Sequence, residues 1–529
     1  MASQYSLSDQ LPLPPLLLFL LPLLYLLLRR SSRITDARAR SAPPGPPKQL
    51  PVLGNLLQIG GRPHRYFQAV AQRYGPVVQV QLGRVRTVVV SSPEAAKDVL
   101  RTNDLHCCSR PDSPGKLIDF HRTPSPRLLS YGFLDVAFSP YSDYWREMRK
   151  LFIVELVSMR RVQSAASARA AEVDRLIDSI ANSPPATPID LSEKLYALSD
   201  GIVGTVAFGK MYGSAQFERS SFQEVMDETL RVLGSFTFED FFPASRLARW
   251  ADVLTGAVAR RSSIFRKIDS FFDLVIDKHL EPERLQAGVQ EDMVDALVKM
   301  WREQDDDEAP GLSRDHIKGI LMDTFAGGID TCAVTMIWIM SELMRNPRVM
   351  LKALAEVRGL IRNKPKVDEE DIKNLKYLKM VIKENFRLHP PGTLLIPRET
   401  MQSCLISGYN VSPGTRVFVN VWAMGRDPGI WDNPEEFYPE RFEESHVDFK
   451  GSNFELLPFG SGRRACPAVA MGVANVELAL ANLLYCFDWE LPVGMREEDI
   501  DMEETGQLAF RKEVPLCLVP IKRAYIGGK

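Results

Sequence analysis

Phe459-Gly460-Ser461-Gly462-Arg463-Arg464-Ala465-Cys466-Pro467 is the stretch of this 529-residue chain on which the reading of its fold turns. Two glycines in a turn let backbone approach a flat ligand closely. Cys466 stands just before Pro467, a residue favoured at the first position of a helix. The spacing therefore predicts a helix from there to about residue 484, with its positive end facing the sulfur and favouring thiolate. A thiolate on a glycine loop, with arginines beside it, suits an iron that carries anionic side groups. A buried cysteine at an ordinary loop–helix junction would read the same over so short a stretch.

Working outward, residues 313–346 read as one long helix, with Ser313 as its cap and Pro347 as its stop. Inside it stands Gly327-Gly328-Ile329-Asp330-Thr331. Two glycines cost a helix about 2 kcal/mol together, so some contact should require them. An acid and an alcohol at such an irregularity can relay protons to a bound ligand; a weak helix with an exposed acid is the plainer alternative. Glu384 and Arg387, three apart on a helix predicted over 377–389, share a face, and by themselves read as a surface salt bridge. Short β-branched runs at 77–82 and 87–90 around Gly83-Arg84 predict a hairpin. Residues 405–409 and 415–421 predict a second β-rich patch, with Asn410 and Ser412-Pro413-Gly414 as turn residues. Residues 516–521 alternate as a last strand. From about 140 to 345 the pattern is mostly helical, broken by Pro184-Pro185 and by the acidic run 305–308, a solvated loop. The fold class is mainly α with small β-sheets.

The glycine loop resembles the haem-binding signature of the cytochrome P450 family, Phe-x-x-Gly-x-Arg-x-Cys-x-Gly. Phe459, Gly462, Arg464 and Cys466 match it, and Ala468 stands where the family usually has glycine. Glu384 and Arg387, together with Arg441 in Tyr438-Pro439-Glu440-Arg441-Phe442, are similar to the family's Glu-x-x-Arg and Pro-Glu-Arg-Phe pairing. The resemblance implies that these three form a buried ionic network beneath the haem. Gly327 to Thr331 resembles the oxygen-activation motif, with Cys332 replacing its last hydroxyl residue. Trp145 and Arg149 are similar to the family's Trp-x-x-x-Arg. The resemblance further implies a heme b with Cys466 as axial thiolate and Phe459 in its loop. Trp145, Arg149, Arg398 and Arg464 would hold its carboxylates, and Asp330 and Thr331 would guide protons. Anionic carboxylates paired with arginine forks are physically sensible.

Composition fits this reading and narrows it. Hydrophobic residues make up 45% and charged ones 25%, which excludes wholesale disorder. Lys plus Arg total 65 against 67 Asp plus Glu, a net charge of −2, so nothing global draws the chain to nucleic acid. Seven scattered cysteines imply reduced thiols, and three adjacent residues at His106-Cys107-Cys108 do not make a zinc site. Residues 11–28 are uncharged and apolar, long enough to approach the thickness of a bilayer core, and five arginines follow between 29 and 40. With no positive start and no small-residue cleavage site, the run predicts an uncleaved, single-pass anchor. The arginines place everything after it in the cytosol.

The expected organisation is a luminal 1–10, a transmembrane anchor 11–28, a basic and Pro-rich hinge 29–48, and one haem domain over 49–529. The resemblance implies a plant-type microsomal monooxygenase of the endoplasmic reticulum membrane. It would use O₂, a small apolar or aromatic substrate, and electrons from NADPH-cytochrome P450 reductase, which would dock on Arg146, Lys150 and Arg463. Cys107 to Pro111, residues 144–152, Ser158-Met159-Arg160-Arg161 and Gly327 to Thr331 are similar to members that metabolise aldoximes. That implies conversion of an aromatic aldoxime to a nitrile and cyanohydrin in specialised metabolism. Residues 116–125 look like an extra stretch in the loop that would cover substrate. By family position, Phe133, Phe325, Thr393, Leu394 and Leu508 would line the pocket. The alternatives are a hydroxylase of an indole or terpenoid, an O₂-independent haem-thiolate isomerase or dehydratase, and a tethered haem sensor without turnover.

Overall fold

The computed structural model describes residues 42–48, 50–111, 125–213, 219–235, 237–243, 245–282, 284, 291–304, 311–361, 364–506 and 509–523. The expected anchor, most of the hinge, residues 116–124, the acidic run 305–308 and Leu508 lie outside these residues. In chain order, the elements that frame the site are β1 (Val77–Leu82), β2 (Val85–Val90), α1 (Asp143–Leu151), α2 (Leu191–Phe208), α3 (Arg246–Leu254), α4 (Arg314–Arg345), α5 (Lys376–Leu388), β3 (Arg398–Glu399), β4 (Arg416–Val419) and α6 (Val469–Cys486).

Helix α4 is the spine. Its 32 residues reach about 48 Å at 1.5 Å per residue. It begins where Ser313 and His316 cap it, the Ser313 amide donating to His316 Nδ1 at 3.1 Å, and it ends at Asn346, after which Pro347 opens the next helix. The helix is apolar nearly all round because it is enclosed nearly all round. Its length and composition alone would suit a membrane span, yet most of its apolar window is covered by protein. Residues 317–329 feed one hydrophobic core with Phe208, Phe222 and Phe272; residues 332–344 feed a second with α2, α5 and α6.

The hairpin β1–β2 forms as predicted, with β2 longer by two residues at its start. The second β-rich patch is built differently from its prediction. Cys404–Ile406 and Tyr409–Val411 pair as a hairpin, so Asn410 is a strand residue and Ser407-Gly408 make the turn, both at positive φ. The later run becomes β4, which joins β2 in parallel to give the sheet order β1-β2-β4-β3, and residues from Val421 turn helical. The period-2 pattern located the strands but not their partners, because pairing is tertiary. The last strand, Cys517–Lys522, pairs with Ile189–Asp190 and with Phe487–Glu490.

Glu384 and Arg387 on α5 are fully buried, so the surface reading of that pair fails. Glu384 accepts from Arg387 Nε at 2.9 Å and Nη2 at 2.7 Å, from Arg441 Nε at 3.0 Å, and from the Tyr438 amide at 2.9 Å. Arg387 also donates to the carbonyls of Gly425, Pro434 and Glu436.

Candidate haem site

The loop 459–468 is folded tightly back on itself. Gly460 and Gly462 both have positive φ, and a Cβ on Gly462 would sit 2.2 Å from the Leu100 carbonyl oxygen. The Cys466 amide donates to the Phe459 carbonyl at 2.9 Å, while the Phe459 ring packs edge-on against Phe386. Pro467 is not the first helical residue as predicted. It lies in a turn, and α6 begins at Val469 with Ala468 as its cap. The polar consequence survives this shift, because the Ala468 amide still reaches the sulfur. Burial pushes the Cys466 thiol up, whereas that amide and Arg149 pull it down toward thiolate.

Around this loop the arginines converge. Arg149 on α1 donates to the Ala465 carbonyl at 2.5 Å. Trp145, one turn earlier, is capped into the helix by Ser142 and donates its indole N–H to the Val136 carbonyl. The Arg464 guanidinium lies 3.9 Å above the Trp145 ring and donates to the carbonyls of Cys108, Val136 and Ser139. Arg398 pairs with Asp104 at 2.8 Å and donates to the Ser461 carbonyl. A fourth guanidinium lies in the Cys107–Pro111 stretch, where no residue was expected to face the haem. Arg110 is buried and donates to the carbonyls of Ala137, Ile396 and Pro397. Arg110, Arg149, Arg398 and Arg464 repel one another, and burial among them brings Arg464 down to about 9. The acids facing them are Asp104, shared with Arg463, and Asp135. Buried cations in such excess call for an anion. A flat metal complex with two carboxylate arms, placed beside the Cys466 sulfur, answers both the charge and the thiol.

On the other wall, α4 leaves one stripe accessible. Asp323, Gly327 and Thr331, four apart, are part-exposed or exposed in the middle of a buried helix, as are Thr324 and Gly328. The two glycines are needed for different reasons. A Cβ on Gly328 would meet Val203 of α2 at 2.7 Å, whereas Gly327 faces open space. Thr331 donates back to the Gly327 carbonyl at 2.6 Å. Asp330 is buried, which rules out the exposed acid. Its Oδ1 accepts from Arg511 Nη2 at 2.6 Å, and the Arg511 guanidinium lies 4.8 Å over the Tyr196 ring. Burial pushes the Asp330 carboxyl up, and Arg511 restrains it. Asp330 Oδ2, Arg511 Nε and Tyr196 Oη are all buried without a hydrogen-bond partner. So Asp330 faces Arg511, while Thr331 faces the stripe. Cys332 packs toward Gly472 of α6, near Cys466.

The pocket candidates are scattered. Phe325 is fully enclosed, 4.9 Å from both Phe208 and Phe222. Thr393 is buried, with its hydroxyl unpartnered. Leu394 packs partly against the β1–β2 core, and Phe133 sits at positive φ beneath Arg127. His279, Asp292 and Asp295 also cluster, but Arg284 pairs with both acids and supplies the cation that a metal would bring.

The family model described as cytochrome P450 matches residues 43–518. This chain belongs to the cytochrome P450 family. It is 51% identical over 516 residues to a 4-hydroxyphenylacetaldehyde oxime monooxygenase of Sorghum bicolor, covering 96% of this chain and 95% of the relative. It is 46% identical over 519 residues to a 2-methylbutanal oxime monooxygenase of Manihot esculenta, covering 97% and 98%. The fold matches a solved zebrafish cytochrome P450 with abiraterone at a TM-score of 0.71 and 22% identity, over 88% of this chain and all of that one. The P450 is accordingly a haem-thiolate monooxygenase that uses a reductase, O₂ and an organic substrate.

Proposed function

We propose that this P450 converts an aromatic aldoxime to the nitrile and then to the cyanohydrin. The observation that carries the substrate class is the 51% identity, over nearly the whole chain, to a relative named for an aromatic oxime. The cassava relative is named for an aliphatic oxime, so the oxime group is what the two share. The first step loses water: R–CH₂–CH=N–OH gives R–CH₂–C≡N. The second takes O₂, two electrons and two protons, and yields R–CH(OH)–C≡N and water.

The residues divide this work. Arg149, Arg398 and Arg464 would hold the haem's carboxylate arms, Arg464 steadied by the Trp145 face, and Cys466 would bind the iron. Once bound, the haem would supply oxygen activation, its chemistry tuned by the Cys466 thiolate. Asp330 receives protons from solvent past Arg511, and Thr331 passes them on across the stripe of α4. Arg146 and Lys150 of α1 and Arg463 of the cysteine loop surround a depression lined also by Ile153 and Val154, and there NADPH-cytochrome P450 reductase docks.

We also propose a single-pass position in the endoplasmic reticulum membrane. Leu247, Trp250 and Leu254 stand 82%, 66% and 81% exposed along α3, and an apolar patch of that kind marks an interaction surface. The Phe241 carbonyl, just before α3, accepts from the Arg84 amide, and the neighbouring Gly83 amide donates to the Leu53 carbonyl, so this face lies beside the point where the chain leaves the hinge.

Reconstitution with reductase and NADPH tests the reading. Aldoxime should give a substrate-type Soret shift, then nitrile and cyanohydrin. Hydroxylation of an indole or terpenoid with no turnover of oximes would overturn the substrate class. Cyanohydrin formed without NADPH would overturn the O₂-dependent step.

A further inference from the structure

The strap formed by residues 134–139 joins the two walls of the site. Its Val136 amide donates to Asp323 Oδ2 of α4 at 2.7 Å, and its Ala137 amide to the same oxygen at 3.0 Å. The carbonyls of the same residues face the other way: Val136 accepts from Trp145 and Arg464, and Ala137 from Arg110. The strap lies close against α4 because Gly319, one turn before Asp323 and on the same face, has no side chain. A Cβ there would come within 3.3 Å of the Leu134 carbonyl. Tyr144 of α1 closes the contact by donating to the Leu134 carbonyl at 2.9 Å. Directly before the strap, Tyr131, Gly132 and Phe133 all take positive φ, a costly run for two aromatic residues that only a firm anchor maintains.

A second carboxyl belongs to this anchor. Asp135 is 1% exposed, its Oδ2 accepts from the Phe138 amide at 2.9 Å, and its Oδ1 is buried without a donor. The Asp135 and Asp323 side chains lie within hydrogen-bonding reach of each other. Two carboxylates cannot share such a contact unless a proton lies between them. Asp323 already accepts two amides, which favours its ionised form, so the proton belongs on Asp135 Oδ1.

We propose that Asp135 and Asp323 are positioning residues that share one proton, forming a latch that sets the strap, and through it Trp145, Arg464 and Phe133, in register with α4. This holds whichever substrate the enzyme takes. The groups facing the pair are Arg110 and Arg464 across the strap, and Tyr144 from α1, whose ring meets His316. Burial pushes both carboxyls up, Asp323 to about 6; the Asp323 charge raises Asp135 in addition, whereas the hydrogen bond from Asp135 and the two amides hold Asp323 down. A carboxyl raised in the folded state is protonated there at a pH where the unfolded chain has already lost the proton. The one-proton latch is therefore complete above about 6, where Asp323 has ionised, and is lost as pH rises until the raised Asp135 carboxyl ionises too.

The test compares the holoenzyme with Asp135→Asn, Asp135→Ala and Asp323→Asn. An Asn at either position supplies the bridging hydrogen permanently. Infrared difference spectra should show a protonated-carboxyl band in the wild type, sensitive to deuterium, that is gone in Asp135→Asn. Binding of 4-phenylimidazole, read from the Soret band, should weaken about tenfold at alkaline pH in the wild type, the scale of one charged hydrogen bond. It should stay level with pH in both Asn variants. Asp135→Ala should bind weakly at every pH; if it does not fold, the wild type and the Asn variants still decide. A wild-type profile as level as the Asn profiles, or an infrared spectrum without the carboxyl band, would overturn the latch.

Discussion

Replacing Glu384 by Gln keeps the shape of α5 and removes one charge from the most enclosed ion pair among the described residues. In the native chain that carboxylate receives two bonds from Arg387, one from Arg441 and one from the Tyr438 amide, with both members of the Glu384–Arg387 pair fully shielded from water. The amide leaves one oxygen for these donors and turns an NH₂ group toward a guanidinium. Breaking a buried pair from one side costs about 3–5 kcal/mol, because the remaining charge has lost its partner. At roughly 1 kcal/mol per degree for a chain this large, the thermal midpoint should fall by about 3–5 °C. The assay is circular dichroism melting of holoenzyme at matched haem content, with Glu440→Gln as the control. Glu440 sits on the neighbouring turn and pairs with Arg348 and Lys352, both half-exposed. A shift below about 1 °C for Glu384→Gln, level with the control, would put the pair in the class of surface bridges and refute the reasoning.

Three further outcomes are expected. In Arg511→Gln, the Asp330 carboxyl loses the cation that restrains it and protonates at a higher pH; more peroxide should form per NADPH consumed, and an unchanged peroxide ratio and pH profile would count against Asp330 as the proton donor. Arg464→Leu removes a guanidinium that also rests on Trp145, so haem transfer to apomyoglobin should speed up about tenfold, the worth of one charge-assisted pair; equal rates would mean that the arginine serves only the loop carbonyls. In bilayer nanodiscs carrying brominated lipid, the intact chain should show tryptophan quenching that Trp250→Phe largely removes, and identical quenching in both would take α3 out of the membrane.

Much of the site is readable in the sequence because its chemistry is local. The cap at Ser313, the stop at Pro347, and the Gly460, Gly462 and Cys466 spacing each act within a few residues, and each appears in the fold at its expected place. Pro467 misleads because proline suits both a turn and a first helical position, and the tight loop return to Phe459 selects the turn. Asp330 and Arg511 lie 181 residues apart, and nothing at either position announces the other. Arg110 follows directly on Cys107-Cys108-Ser109, yet its burial comes only from the carbonyls of residues 137, 396 and 397. Asp323 does carry a signal: a glycine and an acid four apart on a buried helix mark a face that something polar approaches.

The pairing of the last strand has a consequence for biosynthesis. Cys517 and Leu518 complete the edge at Ile189–Asp190, and the Leu516 amide reaches Ser192 Oγ across 324 residues. At about 5–20 residues per second, a ribosome needs roughly 20–60 s to make that interval. Throughout it the Ile189–Asp190 edge before α2 waits unpaired, and for part of it α4, once made, has no α6 to close its second core. An open edge beside apolar surface is what chaperones bind. For this chain the wait is written into the connectivity, because the strand that closes the Ile189–Asp190 edge is Cys517–Lys522.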